Sequence, residues 1–311
     1  MLAYFLRRAL VVILGLSLLN FFLLFMLPGD AAEMLAIYRY GAADAGAEAI
    51  ERIKREEGLD KPFPIQYAAW LWGALRGDLG KSRVSGEPVL KELERRMPAT
   101  LELAMAGLAI SLAIGLPCGI MAALKKNSSW DYLLTWGSLV GASIPNFWLG
   151  LILILFLGVH LNLFPTFGQG SFSHLVLPAC TLGVSMAGIT ARLTRSSVLD
   201  VLGQEYIKTA KSKGLPKMVI LFRHVMKNAL IPVVTIAAIQ FGHLLEGTVV
   251  VETVFAWPGI GRLLMDAIHN RDYPLIQGCV LYIAFIFCLL NYSIDMLHAF
   301  LDPRVRLNAR D

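Results

Sequence analysis

Six stretches of the 311-residue chain run long without a charged residue: 9–27, 103–124, 132–159, 175–191, 229–242 and 275–294. A helix needs roughly 17–25 apolar residues to cross the hydrocarbon core, at about 1.5 Å each. Most of these runs reach that length alone. The fourth is at the short limit, and the fifth reaches it only by admitting His243 and passing Leu245. The pattern predicts an all-α integral membrane protein with six transmembrane helices.

After the first run the pattern changes. From 28 to 98, short apolar groups alternate with charges and chain breakers. Ile50, Ile53 and Glu57 share one helical face, Gly58 is a stop, and Pro62 and Pro64 break the chain again. Tyr67, Trp70 and Leu71 form an aromatic face suited to a membrane interface. Short helices are expected here. Pro98 and Thr100, in "PATLELA", are expected to open the second span. The third run is longer than one straight span requires and holds Pro145 beside Asn146. A proline there removes a backbone hydrogen bond and kinks the helix. One reading is a kink that fits the helix into a thick bundle. The other is a pore-lining bend with Asn146 on a polar path.

Composition agrees with a membrane chain. It is 56% hydrophobic and 16% charged, against about 25% charged in soluble domains. The formal charge of +5 would suit nucleic acid, but its distribution argues for a bilayer. Arg7 and Arg8 precede the first run, and Lys125 and Lys126 follow the second. Arg192, Arg195, Lys208, Lys211, Lys213, Lys217, Arg223 and Lys227 lie between the fourth and fifth, and Arg304, Arg306 and Arg310 follow the sixth. The loop 160–174 has no Lys or Arg. The positive-inside rule therefore puts both termini in the cytoplasm and the 28–98 segment outside the cytosol. That segment carries both signs, and long loops translocate largely regardless of charge.

Several motifs are excluded. The first run is long for a signal-peptide core, and "MLPGDAA" offers no small-x-small cleavage site, so it is expected to remain as a span. Cys118, Cys180, Cys279 and Cys288 lie in or beside apolar runs without a Cys-x-x-Cys pair, which points to packing. "GDLGKS" resembles the end of a phosphate-binding loop, but Leu75 stands where its first glycine is required. His160, His174, His224, His243, His269 and His298 are dispersed, and neither Gly-x-Ser-x-Gly nor His-Glu-x-x-His occurs. No enzyme chemistry is expected.

The segment "EYIKTAKSKGLPKMVILFRHVMKNALIP", 205–232, interrupts the apolar pattern with basic residues. Tyr206, Ile207, Ala210 and Gly214 lie three and four apart, giving a small, partly apolar helical face. Gly214 suits a helix C-cap and Pro216 the first turn of a second helix. Small residues at 210 and 214 would admit another surface closely. A helix–break–helix of this kind either binds anionic lipid heads or docks a cytosolic protein.

The segment resembles the EAA-type coupling loop of ABC importer permeases, in the dipeptide/oligopeptide/nickel branch. Glu205, Ala210 and Gly214 match that motif, and "RHVMKNALIP" its continuation. It departs from the shorter form, since Pro232 lies further from Gly214 and Ile207 replaces the second alanine. "GLDKPFPIQY", "GDLGKS", "PATLELA", "IPNFWLG", "ETVFAWPGIGRLL", "RDYPLIQG" and "LDPRVR" look like motifs of the same branch, in order along nearly the whole chain.

The resemblance implies a permease subunit in the bacterial inner membrane. Its parts would be a cytoplasmic N-terminus and first span (1–27), an extracytosolic helical segment (28–98), a five-helix core (99–300) with a cytoplasmic coupling loop (192–228), and a cytoplasmic tail (301–311). The implied partners are a second homologous permease, two cytosolic ABC ATPase subunits and an extracytosolic substrate-binding protein, besides the lipid bilayer. No nucleic acid is expected. ATP and Mg would bind the ATPase partners, with no cofactor in this chain. Glu205, Tyr206, Ala210, Lys211, Gly214 and Leu215 would meet the ATPase, and Pro145, Asn146, His243 and Glu246 would border the translocation path. No firm metal set emerges.

For cargo, "IPNFWLG", "FAWPGIGR" and "NRDYP" look closest to nickel-type permeases, which favours chelated nickel, with a di- or oligopeptide as the alternative. His243 and Glu246 lie three apart on one helical face. Imidazole suits nickel, a peptide amino terminus would suit Glu246, and either residue could simply solvate a pore mouth. The competing class is a self-sufficient channel or ion-driven carrier. Such proteins place ionisable groups inside their spans, whereas here Glu246 and Asp295 fall toward span ends. An interaction scaffold would have no use for the loop.

Overall fold

A computed structural model of the protein describes residues 2–26, 31–41, 46–56 and 58–301. Leu27–Asp30, Glu57 and the tail from 302, including most of "LDPRVR", lie outside the described residues. The helices are α1 (Leu2–Met26), α2 (Ala31–Tyr40), α3 (Ala47–Glu56), α4 (Phe63–Leu75), α5 (Val89–Leu124), α6 (Ser129–Ser143) and α7 (Asn146–Leu153). They continue as α8 (Phe172–Leu202), α9 (Glu205–Ser212), α10 (Lys217–Val219), α11 (Met226–Val254), α12 (Ile260–His269) and α13 (Tyr273–Leu301). π-Helical turns extend α7 through Ile154–His160 and join α10 to α11 through Ile220–Val225. The only strand pairing among the described residues is a single bridge between Lys81 and Pro88.

Five of these helical runs are long and apolar enough to cross a membrane: α1, α5, α8, α10–α11 and α13. The pair α6–α7 makes a sixth crossing when counted as one broken span. The kink expected at Pro145 is a full break, bent by 101°. Ile144 adopts φ −75°, ψ 126° and ends α6, because the proline ring excludes the helical region for the residue before it. A second expectation also changes. Pro98 does not open the second span; α5 starts at Val89 and runs through Pro98 and Pro117. Its 36 residues extend about 54 Å.

Two compact units divide the chain: Met1–Met97 with Leu263–Leu289, and Pro98–Arg262 with Leu290–Asp311. In the first unit α2 and α3 close on a small core of Ala32, Leu35, Ala36 and Ile53. α4 packs on α1. Phe21 meets Phe63 and Tyr67 edge-on at 5.6 Å each, and the Tyr67 and Ser17 hydroxyls lie 2.9 Å apart. The Tyr67–Trp70 face is thus turned onto the first span instead of facing lipid. "GDLGKS" ends in a turn around a carboxylate of the same chain. Ser82 Oγ donates to Asp272 Oδ2 at 2.6 Å, and the Arg83 N–H donates to the same oxygen at 2.8 Å.

In the second unit α8 is flanked by α5 and α6 through small residues. Gly107, Ser111, Gly115 and Gly119 recur every fourth position along α5. A Cβ at Gly115 would lie 2.6 Å from Thr190 Cβ, and one at Gly119 would lie 2.5 Å from the Ala191 carbonyl oxygen. On the opposite side a Cβ at Gly188 would lie 2.1 Å from the Ser138 carbonyl oxygen. Lipid tails are as apolar as Leu, so such close packing, with a few hydrogen bonds, is what holds helices together in a bilayer. Ser111 and Thr190 hydroxyls lie 3.0 Å apart, and Thr190 also donates to Gln240 Oε1 at 3.1 Å. These bonds tie α5, α8 and α11.

One ion pair adds to the α6–α8 seam. Arg195 holds Asp131 in a fork, Nε to Oδ1 at 2.6 Å and Nη2 to Oδ2 at 2.8 Å. Asp131 also accepts the Asn127 N–H at 2.9 Å, which fixes the turn between α5 and α6. Arg195→Met leaves a buried carboxylate unpaired, at an expected cost of about 2–5 kcal/mol. In a thermal-unfolding cycle, adding Asp131→Asn should recover part of that loss. Strict additivity of the two changes would show that the pair does not couple.

Candidate functional site

The basic loop is built as its sequence suggests. Gln204 is extended, and α9 begins at Glu205. Glu205 in the first turn and Lys211 in the last complement the helix dipole. Glu205 also accepts from Lys208 Nζ at 2.7 Å on the exposed face. Gly214 sits at φ +76°, where a side chain is disfavoured, and Pro216 N-caps α10. The helix–break–helix is therefore observed.

Its faces differ from expectation. Ile207 is 0% exposed and Ala210 is 7% exposed, packed within the same chain among Ala123, Val198, Leu221 and Val225. Ala210 is turned inward, where α9 packs on the 220–225 turn in a core that also holds Ala123 of α5 and Val198 of α8. Tyr206 is exposed, and its hydroxyl accepts from Asn228 Nδ2 at 2.9 Å, pinning α9 to α11. Lys211, Gly214 and Leu215 are exposed. Met218 and Phe222, which the sequence pattern did not single out, stand 63% and 64% exposed with Val219 between them. Ile220, Leu221 and Val225 of the same apolar run are buried. Spacing alone does not separate them, since 218, 221, 222 and 225 fall on one α-helical face; the π-helical turn over Ile220–Val225 parts them. Tyr206, Leu215, Met218 and Phe222 are thus exposed apolar side chains in a loop that also exposes Lys208, Lys211, Lys213 and Lys217.

The other candidates lie elsewhere. Pro145 and half-buried Asn146 stand at the α6–α7 break, where Leu139, Val140, Ile144, Phe147 and Trp148 line an apolar groove. His243 is exposed on α11, and the Glu246 side chain lies outside the described residues. His243 lies one residue before Leu244, where the apolar span ends, while α11 itself continues to Val254. Among the described residues no three His, Cys, Asp or Glu side chains converge as a metal set.

A further group went unrecognised in the sequence. Glu252, in "ETVFAWPGIGRLL", is fully buried. It accepts from Thr100 Oγ1 at 2.7 Å and from the Arg262 N–H at 3.0 Å. The Thr100 oxygen in turn accepts the Ile260 N–H at 2.9 Å, and Trp257 Nε1 donates to the Ala99 carbonyl at 2.8 Å. Gly259 and Gly261 leave room for this carboxylate; a Cβ at Gly259 would lie 2.1 Å from its Oε1. Thr100 thus locks the turn after α11. Glu252 lies beyond the apolar span that ends at Leu244. Burial raises its carboxyl above the ordinary range, while the hydroxyl and amide donors pull the other way.

That shift has a testable sign. Burial favours the neutral form, so its contribution to stability is full below about 4.5 and is lost as pH rises through the raised native value. The melting temperature should fall across that window, and Glu252→Gln should flatten the fall. An unchanged pH profile in that variant would remove Glu252 as its source.

The whole chain matches known proteins. Residues 115–307 match the family described as binding-protein-dependent transport system inner membrane component, and residues 1–104 match its N-terminal companion. The chain is 38% identical to the dipeptide transport system permease protein DppB of Escherichia coli K12, over 98% of this chain and 99% of that one. It is 41% identical to the glutathione transport system permease protein GsiC of Pectobacterium atrosepticum, with the same coverage. Among solved structures it resembles an inward-facing form of the MetNI methionine ABC transporter, with a TM-score of 0.60 and 18% identity, over 68% of this chain and 96% of that one. This last likeness concerns the fold. With its apolar helices and these full-length relatives, the chain belongs to the inner membrane components of binding-protein-dependent transport systems.

Proposed function

We propose that this chain is the permease of an ATP-driven importer whose cargo is a short peptide. The observation that carries the cargo is the full-length similarity to permeases named for dipeptide and glutathione transport. It replaces the preference for nickel drawn from short motifs. The peptide alternative is now the better-supported reading.

ATP and Mg bind cytosolic ATPase subunits, which grip α9 and the 215–222 surface. A binding protein delivers cargo from the other side, and a second permease completes the path. The physical support is the seat of α9. A push on α9 bears through Ile207 and Ala210 on the 220–225 turn, which packs in turn on α8 and leads into α11. α8 carries α6 with it through Arg195–Asp131 and the Gly188 contact. Motion then reaches the α6–α7 break at Pro145. Such rocking exposes one shared path to each side in turn. In this reading His243 and Glu246 border the path, and the charge of Glu246 would suit a peptide amino terminus.

Uptake by the reconstituted transporter with its binding protein separates the cargoes. Labelled dipeptide should enter, and excess chelated nickel should not compete. Nickel uptake that dipeptide fails to inhibit would reverse the choice of cargo. Orientation follows from charge, with six spans and both termini inside. In a cysteine-free background, cysteines at Gly46 and Gln169 should react with an impermeant thiol reagent added outside. Cysteines at Lys126 and Ser212 should not. Reversed labelling would sink the orientation.

A further inference from the structure

α4 is 13 residues long, about 20 Å, which is too short to cross the hydrocarbon core. It is nonetheless apolar on opposite sides. Phe63, Tyr67 and Trp70 pack against α1 through Phe21. Ile65 and Trp72 face outward, 52% and 59% exposed. The Arg76 guanidinium lies 4.5 Å over the Trp72 ring. Aromatic and basic side chains are the groups enriched where a helix lies at the membrane–water boundary. α4 has the features of an interfacial helix docked on the first span.

Beside α4 is a cavity of ≈ 290 Å³ lined by Phe21, Ile65, Trp70, Lys61, Arg83 and Gln277, among others. One water takes about 30 Å³ of liquid, so the space suits a much larger group. Its apolar wall is continuous through Ile65 with the outward face of α4. Among the described residues its charged lining groups are both cations. Trp70 Nε1, on this wall, is buried without a hydrogen-bond partner. An unmade bond of that kind costs about 1–3 kcal/mol, which a ligand acceptor would relieve. Arg83 is held in place, its backbone N–H bound to Asp272 and its guanidinium 5.0 Å over the Tyr273 ring.

We propose that this cavity binds the phosphate head of an anionic phospholipid, with an acyl chain running out along Ile65 and Trp72. Lys61 and Arg83 neutralise the phosphate. The Trp70 N–H donates to a head-group oxygen, and Phe21 and Ile65 take the top of the chain. A free anion would leave the apolar wall wet. A zwitterionic lipid would bring an ammonium group among cations. Bound this way, the lipid clamps α4 to α1, whatever the cargo of the transporter.

Native mass spectrometry of the purified full-length chain tests this without a transport assay. Phosphatidylglycerol, phosphatidylcholine, inorganic phosphate and a dipeptide are each titrated. One phosphatidylglycerol should be retained at least tenfold more tightly than phosphatidylcholine. Lys61→Gln removes one cation, and Gln277→Glu places a carboxylate on the wall from a different helix. Each should weaken phosphatidylglycerol at least fivefold while thermal unfolding without lipid stays unchanged. Equal retention of the two lipids, or undiminished phosphatidylglycerol binding in both variants, would overturn the proposal. Occupation by inorganic phosphate alone as tightly as by the lipid, or displacement of the lipid by dipeptide, would overturn it as well.

Discussion

Gly188→Leu is expected to strip the protein of its folded core, seen as loss of monodisperse protein in detergent or a fall in melting temperature of roughly 5–10 °C. Gly188 is buried on α8 where α6 crosses it. Its added Cβ would meet the Ser138 carbonyl oxygen at 2.1 Å and the Ala142 side chain at 3.1 Å. A carbonyl belongs to the helix backbone and cannot swing aside as a side chain can. The whole of α6 must move, which also pulls Asp131 from Arg195. Overpacking costs about 1–3 kcal/mol and occasionally more, and the coupled loss of the ion pair places this site at the upper end. Gly137→Ala on α6 is the control. Nothing lies within 4 Å of its added Cβ, so better helix propensity should leave stability equal or raised by up to about 1 kcal/mol. If Gly188→Leu melts like wild type, the close seam is not what holds α6 to α8.

The second large effect is expected at the surface of the loop. Met218→Glu with Phe222→Glu should leave the chain folded in the membrane yet weaken its hold on the ATPase subunits roughly 100-fold or more. Both side chains are largely exposed in the isolated chain, so their loss removes little internal packing. Burying each against a partner is worth about 1.5–3 kcal/mol, and every 1.4 kcal/mol is tenfold in affinity. Gly214→Val tests the same loop by another route. Nothing lies within 4 Å of the new Cβ, so its cost comes from the φ of +76°, about 1–2 kcal/mol. Co-purified ATPase per permease is the readout for both. Full retention in the double-glutamate variant would move the docking surface away from 215–222.

Much of this was legible from the chain. Apolar runs placed the spans because a bilayer forces every backbone group into a helix. Gly214 and Pro216 marked the helix–break–helix because each fixes a backbone angle locally. Burial was harder to read. Ala210 looked like a contact point because it is small, but its one-turn spacing from Ile207 puts both on the inner face of α9. Met218 and Phe222 were hidden in an apolar run whose inward and outward positions depend on a π-helical turn. Glu252 and Thr100 lie 152 residues apart in sequence, so no local pattern joins them. Pro98 was misread for the opposite reason. A local rule suggested a helix start, yet α5 continues through it. The preference for nickel rested on three short motifs that bear on packing around Pro145, Glu252 and Asp272 more than on what passes through, whereas the full-length relatives favour a peptide.

In the proposed cycle, energy enters this permease from ATP through the 205–222 loop. Proteoliposomes holding the whole transporter, with ATP inside the lumen that the ATPase subunits face and binding protein on the opposite side, test it directly. Labelled dipeptide uptake and phosphate release are followed together. Both should require ATP and rise with binding protein, and uptake should vanish in the Met218→Glu, Phe222→Glu variant. Uptake driven by an ion gradient without ATP, or undiminished in that variant, would contradict it.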